Sequence, residues 1–177
     1  MYRIKRGLVL VALLAAVAVA GCLSMEERMR RADEGGTFSK GLQAVLMVNQ
    51  TTVTRGRPLI LHFAIKNGDA NEVRIAEDIT RDSGWAGLLV IGPDGLKPAY
   101  QDVLVEKTYL RVKETKLLRT GDVHVVQWML TGEQTRALQP GYHSLRGVYV
   151  GVKNSNPACS GWWEGRLESN AKFIRVQ

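Results

Sequence analysis

A recurrence of large apolar residues at every second position between Leu59 and Ile65 constrains the fold most strongly. In the segment LILHFAIK, one face of the predicted strand is formed by Leu59, Leu61, Phe63 and Ile65. The opposite face includes His62 and Lys66. A period of two predicts a strand with one buried face. Turn signals flank it, with RGRP at residues 55–58 before it and NGD at residues 67–69 after it.

Further short strands are expected along the rest of the chain, each bounded by Gly, Pro, Asn or Asp. They cover residues 73–75, 88–91, 103–112, 123–130, 142–152 and 172–176. Only Gly132 to Leu138 is typical of a helical turn. Strands separated by turns, without long helices, favour an antiparallel sandwich or barrel.

Three stretches of the chain resemble the bacterial immunoglobulin-like domains. Residues 53–67 are similar to their early strand pair, residues 138–142 to the corner that places Tyr142 near the start of a late strand, and residues 163–170 to their final hairpin. The resemblance implies an all-β fold, an antiparallel immunoglobulin-like β-sandwich of about seven or eight strands. We place this domain at residues 41–177.

The first residues are typical of an export signal rather than of the folded domain. Arg3, Lys5 and Arg6 form a basic head, and the following 14 residues up to Ala20 are uncharged and mostly apolar. A membrane-spanning helix needs about 20 apolar residues, whereas the apolar core of a secretory signal needs roughly 7–15. We therefore predict a cleaved signal peptide at residues 1–21.

The end of this signal resembles the lipobox of bacterial lipoproteins, carried by Val19-Ala20-Gly21-Cys22. The resemblance implies diacylglycerol on the Cys22 sulfur, cleavage after Gly21 and often a further acyl chain such as palmitate. Residues 22–40 would then be an acylated, flexible tether to a membrane of the cell envelope. Since Leu23 is not the aspartate that retains many enteric lipoproteins at the inner membrane, we expect the outer membrane facing the periplasm, or the cell surface. The alternative is a plain secretory signal.

Charge and cysteine content limit the partners. The chain has 24 basic and 17 acidic residues, and removal of the three basic residues of the signal leaves a net charge of +4. This favours contact with anionic lipid or glycan only weakly, and we expect no nucleic acid partner.

If Cys22 is acylated, Cys159 has no cysteine partner within the chain. We expect Cys159 to be buried, with a disulfide to another chain as the alternative.

No recognisable catalytic or cofactor motif occurs, so we expect no catalytic residue, metal or cofactor. The three histidines, His62, His124 and His143, are expected to be outward polar residues of strands. The acidic positions Glu77, Asp78 and Asp82 are expected in a solvated loop. A hard-cation site there is the alternative, although the spacing is not that of a calcium loop.

The tryptophans provide the candidate binding residues. Trp128 lies within a predicted strand and is expected in the core, whereas Trp85 lies in a predicted loop. Trp162 and Trp163 are adjacent, and neighbouring residues of an extended chain point to opposite faces, so at most one of them enters the core readily. We take Trp85, Trp162 and Trp163 as candidate contacts, the alternative being that the last two close the end of the sandwich.

These observations favour a non-enzymatic envelope lipoprotein that contacts a protein or cell-wall glycan through its loops. The alternatives are an inhibitor or accessory domain of an exported peptidase, and an enzyme whose site is assembled from distant residues.

Overall fold

The computed structural model describes residues 38–95, 98–104, 114–151 and 161–177. The predicted signal peptide, Cys22, the tether up to residue 37, Cys159 and most of the predicted strand 103–112 lie outside these residues. The elements in chain order are β1 Phe38–Ser39, β2 Leu42–Val48, β3 Thr52–Val53, β4 Leu59–Asn67, β5 Val73–Ala76, β6 Ala86–Ile91, β7 Pro98–Gln101, β8 Thr115–Leu118, β9 Val123–Leu130, α1 Gly132–Ala137, β10 Gly141–Gly151, β11 Gly165–Glu168 and β12 Lys172–Val176.

The strands form two main sheets and a small ribbon. The first sheet has the order β1-β2-β4-β9, and the second has the order β3-β12-β10-β6-β7 with β11 also paired to β10. Strands β5 and β8 pair with each other at the side. Within the described residues β3 and β12 run parallel, and the other paired strands run antiparallel.

The two sheets bury their apolar faces against each other. Phe63 of β4 stacks on Trp128 of β9, with ring centroids 4.3 Å apart. Gly147 of β10 faces this pair from the second sheet, so closely that a Cβ there would lie 2.4 Å from the Phe63 ring. The alternation that predicted β4 therefore places its apolar residues in the sandwich core.

The architecture is an immunoglobulin-like β-sandwich, as the sequence predicted. The chain leaves the first sheet after β2, and β3 then pairs parallel to the last strand, β12, in the second sheet. The described residues contain twelve strands rather than about seven or eight. The additional ones are mostly two to four residues long, too short for a period of two to be recognisable.

The predicted helical turn is α1. Its N-cap is Thr131, whose side chain accepts a hydrogen bond from the Gln134 backbone N–H, while the Gln134 side chain accepts one from the Thr131 N–H. This reciprocal pair satisfies two of the free donors at the start of the helix. No helix within the described part of the chain is long and apolar enough to cross a membrane.

Strand β10 pairs with β6, β11 and β12 in the second sheet. It carries the tyrosine of the predicted corner near its start, but its second tyrosine is the buried one. The first half of β10 pairs with β12 and the second half with β11, so residues 163–170 contribute a strand that returns to β10. Tyr142 begins this strand as expected, but its side chain is 66% exposed. The buried tyrosine is Tyr149, whose hydroxyl accepts a hydrogen bond from the Ala76 N–H at 3.1 Å.

Two of the three histidines do not point outward, contrary to the sequence prediction. His143 is 1% exposed because it shares the inward register of Leu145 on β10. His124 pairs with the core residue Ile65, and its Nε2 lies 2.7 Å from the Glu77 carbonyl oxygen. His62 lies on the outer face of β4, as predicted, and is half-buried.

Candidate functional site

The structure separates the three candidate tryptophans. Trp85 is 4% exposed and Trp163 is 3% exposed, and both belong to the core, as does Trp128. Trp162 is half-buried and packs against the edge of the core. Of the three candidates, Trp162 is therefore the one that retains solvent-accessible surface.

Backbone pairing explains why the two adjacent tryptophans diverge. Residues 161–163 run beside β5, where the Arg74 N–H donates to the Gly161 carbonyl at 2.7 Å and the Trp163 N–H donates to the Arg74 carbonyl at 3.0 Å. In such an extended segment consecutive side chains point to opposite sides. Trp163 points inward, and its Nε1–H donates to the Ser39 carbonyl at 3.1 Å. Trp162 consequently points away from that contact.

Trp162 lines a cleft of about 260 Å³ at one end of the sandwich. Three segments of the chain form its walls, namely the turn between β1 and β2, the loop between β4 and β5, and residues 161–164. The lining residues are Lys40, Asn67, Asp69, Asn71, Glu72, Val73, Gly161, Trp162, Trp163 and Glu164.

A buried amide holds the loop between β4 and β5 in shape. The Asn67 side chain is fully buried, and its Nδ2 donates to the carbonyls of Asn71 at 2.8 Å and Leu118 at 3.1 Å. Its Oδ1 accepts from the Asp69 N–H at 3.0 Å. Gly41, with φ of 82°, lies so close that a Cβ there would be 2.5 Å from the Asp69 Cβ. The polar wall of the cleft is thus preformed.

The cleft combines an aromatic ring with acidic and basic side chains. The Trp162 Nε1–H is buried and has no hydrogen-bond partner within the described residues. Asp69, Glu72 and Glu164 supply carboxylates, and Lys40 supplies an ammonium group. Glu72 is 56% exposed and pairs with Arg119 at 3.4 Å. An aromatic surface with a few placed donors and acceptors is the usual composition of a ligand site.

A second polar cluster lies near the opposite end, around Arg81. Its guanidinium binds Asp102 at two points, Nε to Oδ2 at 2.6 Å and Nη2 to Oδ1 at 2.8 Å, and donates to the Met129 carbonyl. Tyr100 donates to Asp102 and accepts from Gln134 Nε2 at 2.8 Å. Because these groups satisfy one another, we interpret the cluster as a brace that joins the loop after β5 to β7, β9 and α1.

Asp78, in the acidic stretch after β5, is hydrogen-bonded within its own loop. Asp78 Oδ1 accepts hydrogen bonds from the N–H and hydroxyl of Thr80, at 3.0 and 2.6 Å. Within the ranges that the structure describes, no three His, Cys, Asp or Glu residues lie close enough to hold a metal ion.

The sequence interpretation missed the polar wall of the cleft. The sequence predicts a turn at Asn67-Gly68-Asp69, and neither Asn71 nor Glu72 belongs to a motif. No local signal connects them to Trp162, because the contact depends on how distant strands pair. The adjacency of Trp162 and Trp163 was the usable signal, since it predicted that one of them stays near the surface.

No protein-family model matches the chain, and no curated protein matches it. Among solved structures, the C-terminal domain of wzt is similar over 83% of this chain and 80% of its own, with 14% identity and a TM-score of 0.48. The CARDB domain of PF1109 from Pyrococcus furiosus is similar over 77% of this chain and 94% of its own, with 11% identity and a TM-score of 0.37. A β-glucosidase from Erythrobacter marinus has 11% identity and a TM-score of 0.40, and the match covers 77% of this chain but only 15% of that enzyme.

Proposed function

We propose that this chain is a lipid-anchored protein of the cell envelope whose β-sandwich is a non-enzymatic binding module. The observation that carries this proposal is the cleft beside Trp162, where a half-buried indole lies next to preformed polar groups. The partner is a loop of another envelope protein or a glycan of the cell wall.

The composition of the cleft supports binding. A tryptophan buries a large area at a small cost in conformational entropy, which makes it effective in contacts. Asp69 and Asn71 lie on a loop that Asn67 holds in place, so little ordering is required when a partner binds.

The position of the cleft also agrees with a tethered module. Strand β1 begins at Phe38 and pairs with β2 at this end of the sandwich. Ser39 accepts the hydrogen bond of Trp163, the neighbour of the proposed contact residue. A tether that carries acyl chains on Cys22 would therefore join the domain beside the cleft. From the resemblance to a lipobox and from Leu23 we propose the outer membrane facing the periplasm, or the cell surface, as its location.

The binding proposal is tested by crosslinking the acylated protein in living cells and identifying the product. We compare wild type with Trp162→Ala and with Trp162→Phe, which retains an aromatic ring but not the N–H. Phe173→Ala is the matched control, because Phe173 is 65% exposed on the outer face of the second sheet. Thermal unfolding establishes that each variant is folded.

We expect one defined protein or glycan product that Trp162→Ala loses and Phe173→Ala keeps. A product that all variants form equally would contradict the assignment of the site to the cleft. If wild-type protein forms no product with envelope proteins and is not retained by purified cell-wall sacculi, the binding function is wrong.

The anchor is tested separately by Cys22→Ser and fractionation. We expect the variant to lose the acyl chains and to accumulate uncleaved, because the lipoprotein signal peptidase acts on the acylated cysteine. A variant that is processed and remains as firmly bound to the membrane as wild type would rule out the lipid anchor.

A further inference from the structure

Three exposed arginines lie on two adjoining segments at the end of the sandwich away from the Trp162 cleft. Arg55 and Arg57 lie in the turn between β3 and β4, and Arg136 lies on α1. We call these three residues the arginine corner. The turn closes with a hydrogen bond from the Arg57 N–H to the Thr54 carbonyl at 3.0 Å, and Gly56 has φ of 82°.

The arginine corner is held rigidly. The Arg55 side chain donates two hydrogen bonds to the Arg136 carbonyl oxygen, from Nη2 at 2.7 Å and from Nε at 3.2 Å. The Thr135 hydroxyl donates to the Arg57 carbonyl at 2.8 Å. The start of α1 also packs closely against the turn, since a Cβ at Gly132 would lie 2.6 Å from the Gly56 carbonyl oxygen.

These contacts bring the Arg136 guanidinium close to the turn. A Cβ at Gly56, between the two turn arginines, would lie 3.4 Å from Arg136 Nη2 and 3.5 Å from its Nε. The Arg136 guanidinium therefore lies against the turn that carries Arg55 and Arg57. All three residues are exposed. A fourth arginine, Arg175, pairs in register with Thr52 at the start of this connection.

No Asp or Glu side chain within the described ranges forms an ion pair with the arginine corner. Within the described residues the ion pairs of arginine are those of Arg81, Arg119, Arg146 and Arg166. Glu133 lies one helical turn before Arg136 but forms no ion pair with it. Three arginines on adjoining segments, none of them in an ion pair with a described residue, produce a local positive potential.

We propose that the arginine corner binds a phosphate group that carries two negative charges, borne by a soluble or glycan component of the envelope. The planar fork of N–H donors in arginine matches the oxygens of phosphate and binds them at two points. Neighbouring guanidinium groups favour a dianion, because it relieves the repulsion between them. This site is independent of the partner that occupies the Trp162 cleft.

The location of the corner favours a phosphate that does not belong to the anchoring membrane. Strand β4 runs along the sandwich from Leu59, next to the arginine corner, to Asn67, which lines the Trp162 cleft. At about 3.3 Å per residue, the strand separates these two places by roughly 25 Å. If the tether joins the domain at the cleft end, as the proposed anchor implies, the corner faces away from the lipid surface.

The test measures thermal unfolding of the acylated protein in nanodiscs of phosphatidylcholine, titrated with pyrophosphate at constant ionic strength. The variant is Arg57→Gln/Arg136→Gln, because neither side chain is needed for the hydrogen bonds that hold the turn. The matched control is Arg119→Gln/Arg166→Gln, which removes two exposed arginine charges elsewhere. A second set of discs contains phosphatidic acid, a lipid that carries a phosphate monoester.

We expect pyrophosphate to raise the Tm of wild type and control in a saturable manner. The half-saturating concentration should increase about tenfold or more in the Arg57→Gln/Arg136→Gln variant, equivalent to the loss of one hydrogen bond to a charged group. Phosphatidic acid in the disc should not replace pyrophosphate. The proposal is overturned if protection does not saturate, if all variants are protected equally, or if only phosphatidic acid protects. Each of these results leaves the Trp162 cleft untested, so failure here is distinguishable from failure of the binding module.

Discussion

Arg81 and Asp102 form a two-point ion pair in which each side chain is only 10% exposed. The pair joins the loop after β5 to the end of β7, and the Leu88 N–H donates a further hydrogen bond to Asp102 Oδ2 at 2.8 Å. A charge that has lost its partner in such a place is costly.

The substitution Asp102→Asn should strongly destabilise the domain, because it leaves the Arg81 guanidinium without its counter-charge. We expect a loss of about 3–5 kcal/mol in the free energy of unfolding, measured by urea denaturation at neutral pH. The control is Glu168→Gln, whose partners Arg146 and Arg166 are about half exposed. That change should cost about 0–1 kcal/mol. Equal costs would contradict the bracing role of the Arg81 cluster.

Acid should weaken the domain through the same carboxylate. Burial raises the pKa of Asp102, but hydrogen bonds from Arg81, Tyr100 and the Leu88 N–H outweigh burial and leave the pKa below its ordinary value of 3.8. A lowered pKa in the folded state means that this contribution is complete above pH 3.8 and disappears as the pH falls through the lowered pKa. Urea denaturation between pH 7 and pH 2 should show that the difference in the free energy of unfolding between wild type and Asp102→Asn becomes smaller below pH 4. If this difference does not change with pH, protonation of Asp102 does not control the stability of the domain in acid.

High pH should destabilise the domain through ionisation of the buried Tyr149 hydroxyl. Burial raises the pKa of Tyr149 to about 12 from 10.0, although the hydrogen bond from the Ala76 N–H acts in the opposite direction. Stability from neutral Tyr149 is therefore intact below pH 10 and declines as the pH rises towards about 12. Tyr149→Phe should remove this part of the alkaline decline. At neutral pH it should cost about 1–3 kcal/mol, because the Ala76 N–H loses its acceptor. Tyr142→Phe, at an exposed ring, is the control and should change neither quantity.

The contact between the sheets at Gly147 should not tolerate a methyl group. A Cβ at this position would lie 2.4 Å from the Phe63 ring and 3.3 Å from Trp128, so Gly147→Ala must separate the sheets or displace the ring. We expect a cost of about 1–3 kcal/mol in thermal or urea unfolding. Gly92→Ala is the control, since its Cβ would find ordinary contacts at 3.5 Å or more. A neutral Gly147→Ala would show that the sheets are packed less closely than described.

Replacement of the adjacent tryptophans should have unequal effects on stability. Trp163→Ala removes a core ring and the hydrogen bond to Ser39, and should cost about 3–5 kcal/mol. Trp162→Ala removes a half-buried ring, and its cost should be clearly smaller. Denaturation of both variants measures the difference. If Trp162→Ala is as costly as Trp163→Ala, Trp162 closes the end of the sandwich instead of serving as a contact.

Local patterns predicted those parts of the fold in which neighbouring residues are enough to define the structure. The alternation from Leu59 onward identified β4, and the prediction for residues 172–176 matches β12. The inward position of His143 was also accessible, because it is in phase with Leu145 along β10. The prediction failed there because histidine was judged by its polarity and not by its place in the alternation.

The site was less predictable than the fold. The cleft joins Lys40 and Glu164, which are 124 residues apart and linked by a hydrogen bond from Nζ to the carbonyl at 3.0 Å. The arginine corner similarly joins Arg55 to Arg136, 81 residues away. Neither pair belongs to a motif, so the sequence contains no local signal for the association.

The sequence by itself determined that this is an all-β chain, where several of its strands lie, and which face of β4 is apolar. These properties follow from the alternation of side chains and from turn residues, which act over a few positions. The tertiary structure decided that Trp162 keeps accessible surface while Trp85 and Trp163 are buried, and that Arg136 lies against the turn of Arg55 and Arg57. Those outcomes depend on which strands pair and in what register, and pairing is set by the packing of the whole sandwich.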